Sequence, residues 1–194
     1  PAPSVRIRLL RNQARALSLL RKYPEAMVLL DKALSLSDAS KDPKLNAELY
    51  LEEARIAGEQ GDIKTQQVSG GKIIEMGNRL NNAQLTGLGH EVLGQAALSS
   101  GDWRLGEDHL NKAQAMFRSL GLSRDERRAL RVQLKSLLDR NSAIAELKQH
   151  SSQLMVLEQE LEIDDRKLVS DNLNSQLQYA QQRFDLQELK AAAE

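Results

Sequence analysis

Residues 101–103 read Gly-Asp-Trp, and the fold is decided by the counterparts of this triplet. Gly61-Asp62-Ile63 stands forty residues before it, Arg21-Lys22-Tyr23 forty before that, and Asn141-Ser142-Ala143 forty after it. Each follows an apolar helical pattern and opens another. A fixed period in this range marks a helical repeat array, whose units bury their apolar faces against their neighbours.

Working outward from the triplets, the chain divides into seven helical stretches. Val5 to Leu20 carries Ile7, Leu10, Ala14, Leu17 and Leu20 on one stripe. Pro24 suits the first turn of a second helix, where its missing N–H does no harm, and Ala26, Leu30, Ala33 and Leu34 form that helix's apolar face. Asp38 to Pro43 reads as a polar connection. Leu45 to Glu59 is a third helix, ended by Gly61; Asp62 then caps a fourth that carries Ile63, Ile73, Ile74 and Met76. Gly70-Gly71 lies inside the fourth, where each glycine costs about 1 kcal/mol against alanine. Either the pair allows close helix packing or it marks a local break. Ala83 to Ser99 is the fifth helix, and Trp103, Leu110, Ala113 and Phe117 lie on the sixth. Trp103 is expected to plug the core at its turn, with a ligand-stacking ring as the alternative. Ser123, with Glu126 three residues on, reads as a capping box for a seventh helix ending near Asn141.

From Ser142 onward there is neither Gly nor Pro. Leu147, Leu154, Leu161 and Leu168 sit seven apart with Leu157 between, and Leu173, Leu177, Ala180 and Phe184 continue in a shifted phase. The shift falls within 162–172. This is a coiled-coil pattern with a stutter, either one long helix or two in tandem. At about 1.5 Å per residue such a helix would reach roughly 75 Å, too far for one small domain to cover. Its leucines therefore need a partner helix, and Leu147, Leu154, Leu157, Leu161, Leu168, Leu177 and Phe184 are the expected dimer seam.

Composition narrows the function. The 194 residues carry no cysteine, which removes disulfides, thiolate metal sites and Cys nucleophiles but fixes no compartment, cytoplasmic or periplasmic. Aromatic residues make up 3%, so the core is aliphatic. No apolar run approaches the roughly 18 residues that span a bilayer. The chain opens Pro1-Ala2-Pro3 without methionine, which points to removal of an upstream stretch. Net charge is zero, but residues 142–194 hold five Lys/Arg against ten Asp/Glu. That leaves 22 against 17 before them, out of 27 of each sign. A basic front with an acidic tail argues against a uniform nucleic-acid binder. His90-Glu91 opens no HExxH, since Gly94 holds the last position, and Gly70-Gly71-Lys72 lacks the other elements of a phosphate loop. No residue set points to a reaction, a metal or a cofactor.

The repeats resemble the tetratricopeptide family. The first supplies Ala14, Tyr23, Ala26, Leu30 and Ala33; the third supplies Leu93, Gly94, Gly101, Asp102, Trp103, Leu110 and Ala113. The second keeps Ala54, Gly61 and Asp62 but departs at Gln66, Gly70 and Ile73, and the fourth is degenerate at Glu146 and His150. A period of forty is similar to the long-period, signalling members. The resemblance implies an all-α fold: a right-handed α–α superhelix of three to four helix pairs over residues 1–145, then a helical extension over 146–194. The extension also resembles the helices that join bacterial sensor regions to diguanylate cyclase (GGDEF) or histidine kinase output domains.

Mapped onto the family's concave face, the partner-binding residues are Arg8, Arg11, Arg15, Leu51, Arg55, Glu91 and Gln95. Four arginines could hold an acidic peptide by forked hydrogen bonds, or could form a solvated basic face. The family's Lys/Asn carboxylate clamp is not matched, because Arg11 and Arg15 occupy its first-repeat places. The expectation is a non-catalytic sensory or scaffolding module that binds a protein or peptide, without nucleic acid or membrane contact, and forms a homodimer through its tail. The alternatives are the repeat domain of a transcriptional activator and a secretion or assembly chaperone.

Overall fold

The forty-residue spacing resolves into a step of twenty. The computed structural model describes residues 3–40, 42–139 and 148–168, together with 171 and 178. Seven α-helices follow one another: α1 (Pro3–Leu19), α2 (Tyr23–Ser40), α3 (Pro43–Gln60), α4 (Ile63–Arg79), α5 (Ala83–Ser99), α6 (Trp103–Ser119) and α7 (Ser123–Asp139). Each begins twenty residues after the one before. Among the described residues every regular element is helical.

One turn recurs between the helices, and its hydrogen bonds explain the constant step. Arg21, Gly61, Asn81, Gly101 and Gly121 have left-handed φ between 49° and 83°. The residue after each donates its N–H to the carbonyl five back: Lys22 to Leu17, Asp62 to Ala57, Asn82 to Gly77, Asp102 to Ala97 and Leu122 to Phe117, at 2.8–2.9 Å. This satisfies carbonyls that the ending helix leaves open. The same residue then caps the next helix. Asp62, Asn82 and Asp102 each accept from the N–H three residues on, and Asp42 does so at α3.

Two local expectations change, and of the two readings of Gly70-Gly71 close packing holds at Gly70. α2 continues through Asp38 to Ser40, because nothing in that stretch breaks a helix. Ser123 does not cap α7: it is the first helical residue, and Leu122 holds the cap position. Glu126 is buried and accepts from both Nε and Nη2 of Arg118, at 2.8 and 2.5 Å, so its carboxylate is not free for a capping box. Gly70-Gly71 does not interrupt α4. A Cβ on Gly70 would lie 2.9 Å from Leu93 and 3.0 Å from Val92, so this glycine lets α5 approach, whereas Gly71 faces open space. Asn141-Ser142-Ala143 lies outside the described residues.

Residues 1–150 form one compact unit and 151–194 a second. In the first, each helix packs on the next, and α1, α3, α5 and α7 also touch in sequence. α2, α4 and α6 do not touch one another. The odd-numbered helices are thus an inner layer and the even ones an outer layer. The core is aliphatic around Leu30, Leu49, Ile56, Ile73, Leu110 and Leu130, with Phe117 the one aromatic ring among the fully buried large side chains. Close approach replaces bulk at α4–α5: a Cβ on Gly89 would fall 2.6 Å from Ile74 Cγ1 and 2.9 Å from the Ile74 backbone nitrogen.

In the tail, residues 148–168 are helical and run unbroken through Asp164-Asp165. Leu157 and Leu161 are buried, while Met155, Val156, Ile163 and Leu168 are exposed. Leu147, Leu177 and Phe184 lie outside the described residues.

Candidate functional site

The inner layer carries two kinds of residue column, and the forty-residue step separates them. The first column is spent inside the fold. Arg11 pairs with Glu48 across α1 and α3, and Glu91 pairs with Arg128 across α5 and α7, both 37 residues apart. Forty residues on from Arg11 and Glu48 stand Leu51 and Leu88, which pack against the same buried residues. The contact between successive inner helices is therefore ionic, then apolar, then ionic with its sign reversed. Glu91 is 4% exposed in its side chain and takes Arg128 Nε and Nη2 on separate oxygens at 2.6 Å each. Burial pushes the Glu91 carboxyl up, and Arg128 pulls against it. The forked hydrogen bond to Glu91 raises the Arg128 guanidinium, which stays charged.

The second column opens into a cleft of about 460 Å³ at the C-terminal ends of α3, α5 and α7. Arg55, Gln95 and Lys135 are one row, forty apart, and Glu59, Ser99 and Asp139 are the next. Leu98, Trp103 and Val132 supply apolar wall, and Gln66 and Ser136 supply polar floor. Trp103 is half-buried at the edge of this cleft, so it does not fill the core at its turn; Phe117 does that work in α6.

The seven residues expected on the concave face thus part company. Arg55 and Gln95 line the cleft. Arg11, Leu51 and Glu91 belong to the helix–helix contacts. Arg8 and Arg15 are exposed on α1 and are not among the cleft's lining residues. Arg55 is also engaged. Its guanidinium donates to Glu52 and Glu59, at 2.5 Å each, and to Ser18 at 3.0 Å. The arginines expected to fork onto a ligand carboxylate at 11 and 55 already hold carboxylates of the chain. Lys135, Ser99 and Asp139 were within reach of sequence reasoning, because adding forty to Gln95, Glu59 and Ser99 lands on them. Gln66 and Ser136 were not, since nothing in their spacing separates them from other buried polar positions.

Among the described residues, Ser136 Oγ and Arg55 Nε, both enclosed, have no hydrogen-bond partner. Gln66 is 4% exposed, and its amide makes no hydrogen bond among the described residues. Buried polar groups are ordinarily satisfied, so Gln66, which lines the cleft, keeps an open valence there, whereas Ser136 Oγ and Arg55 Nε are enclosed beneath its surface.

A basic surface on α7 adjoins the cleft through Val132 and Lys135; Arg124, Arg127, Arg128, Arg131 and Lys135 line it. On the α5–α6 side, His90 and His109 meet with Nδ1 atoms 2.9 Å apart. Burial holds both imidazoles below the usual histidine range; His109 and Lys112 add to it at His90, and Lys112 at His109. Among the described residues no three metal-ligating side chains come together, and no helix is long and apolar enough to cross a membrane. No family model and no curated protein matches the chain.

Proposed function

We propose that the chain is a non-catalytic binding module of the tetratricopeptide type, with the inner layer as the concave side of a right-handed superhelix. A partner's protein segment binds in the cleft between α3, α5 and α7. The observation that carries this is the cleft itself: concave, partly apolar, with convergent polar groups left unspent by a fold that otherwise pairs its buried charges. In the larger protein the tail pairs with a second copy as a coiled coil and passes the bound state to an output domain such as a diguanylate cyclase or kinase. Of the expected seam, Leu168 is exposed, which supports pairing there, while Leu157 and Leu161 are already buried within the chain. The stutter within 162–172 would offer two registers for a ligand to choose between.

Two measurements test the two halves. Random 12-residue peptides displayed on phage are panned against the full chain, and enrichment of any peptide family supports the binding half. Light scattering compares the full chain with a version ending at Asn141. A dimer that becomes a monomer on truncation supports the tail as the pairing element; two monomers sink it, and two dimers move the contact to the repeats, as a transcriptional activator's repeat domain would have it. The chaperone reading gains from one observation: with Arg55 held by Glu52 and Glu59 and Lys135 offset by Asp139 on the same wall, the cleft's lining is not basic, and an apolar partner segment fits it.

A further inference from the structure

We infer that the cleft selects an uncharged, extended peptide segment bearing one bulky apolar side chain, with no net attraction for acidic segments. This rests on the binding reading above and names its ligand. The forty-residue step gives the cleft two parallel rows. One reads Arg55, Gln95, Lys135 and the other Glu59, Ser99, Asp139. Each row is charged at its ends and neutral in the middle, and the two rows have opposite sign. Arg55 and Glu59 are bonded to each other at 2.5 Å. Opposite charges stand side by side at each end, Arg55 with Glu59 and Lys135 with Asp139, so these four charges sum to zero and give neither an acidic nor a basic ligand a net attraction.

The neutral middle is where binding groups remain. Gln66 and Gln95 each offer an amide with both donor and acceptor, and Ser99 offers a hydroxyl that can do either. A peptide unit carries one donor and one acceptor, so this set matches a backbone rather than a carboxylate. Beside these groups Trp103, Leu98 and Val132 form an apolar wall suited to a single large side chain. Trp103 is the only tryptophan in the chain, so its emission reports directly on the cleft.

The test uses the peptides enriched from the random library. The most enriched are synthesised and titrated into the full chain while Trp103 emission is followed. The expected consensus is a large apolar residue flanked by uncharged ones. Binding should shift the Trp103 emission, and Gln95→Leu and Ser99→Ala should each weaken it about three- to tenfold without changing the urea unfolding midpoint. An acidic consensus overturns the inference; if its binding falls in Arg127→Ala and Arg131→Ala, the α7 surface is the site instead. A neutral consensus that leaves Trp103 emission and both cleft variants unaffected overturns it as well. If no peptide family is enriched, the binding reading falls, and this inference with it.

Discussion

The left-handed turn residues show what single side chains contribute. Five equivalent positions adopt this conformation, yet only three are glycine; Arg21 has φ 58° and Asn81 has φ 49°. A non-glycine residue there strains its Cβ against the following carbonyl, by about 1–2 kcal/mol in the left-handed helical region. Arg21→Gly should therefore stabilise the chain by about 1 kcal/mol, and Gly61→Ala, with open space around its Cβ, should cost about the same. Paired urea titrations check both, and equal midpoints for Arg21→Gly and the parent would refute the strain account. The histidine pair makes a second statement at this scale. Both imidazoles are held below their ordinary value of 6.5, chiefly by burial, so the unfolded chain binds protons before the folded one does. Their contribution is full above pH 6.5 and is lost as pH falls through the folded values. Thermal midpoints should decline on acidification below pH 6.5, and His109→Gln should flatten that decline. Glu91 and Glu53, raised by burial, act in the opposite sense, their contribution being lost as pH rises above about 4.5. A midpoint rising between pH 6.5 and 5.5 would contradict the histidine assignment.

At the scale of elements, the contacts between inner helices form a natural experiment. Positions 11 and 48, 51 and 88, and 91 and 128 are equivalent by the repeat, and they hold Arg–Glu, Leu–Leu and Glu–Arg. The outer two are not equal. Arg11 and Glu48 are 26% and 32% exposed, where an ion pair is worth at most about 1 kcal/mol. Glu91 is 4% exposed, and Arg128→Ala would strand its carboxylate, at a cost of about 2–4 kcal/mol. The double variant Glu91→Leu/Arg128→Leu copies the middle step and should recover most of that loss, because apolar replacement removes the desolvation along with the pair. A double variant no more stable than Arg128→Ala would show that the leucines cannot pack there. Element boundaries were legible for a related reason. Asp62, Asn82 and Asp102 cap by short-range geometry, which spacing reveals. The capping box at Ser123 failed on a contact that spacing does not reveal: Arg118, on the preceding helix, claims Glu126.

At the scale of the whole molecule, the array should unfold from its ends. α5 touches α3, α4, α6 and α7, whereas α1 touches only α2 and α3. In a nearest-neighbour stack, protection follows the number of interfaces a helix must lose. Amide exchange should be slowest in α5, at Leu85, Val92 and Ala96, and fastest in α1. Uniform protection from α1 to α7 would instead mean a single cooperative core. What the sequence by itself determined is the periodicity: helix starts, stops and the repeat step depend on left-handed turn residues, capping carboxylates and apolar stripes, all of them local. The inner layer's use of its polar residues was decided only by the tertiary structure. Arg11, Arg55 and Glu91 read alike along the chain, as polar groups on one helix face. Arg11 and Glu91 meet charged partners 37 positions away, brought opposite by helix packing, whereas Arg55 is held by Glu52 and Glu59 of its own helix and lines the cleft. Trp103 differs from Phe117 in the same way, since its turn position is visible in the sequence and the open space beside it is not.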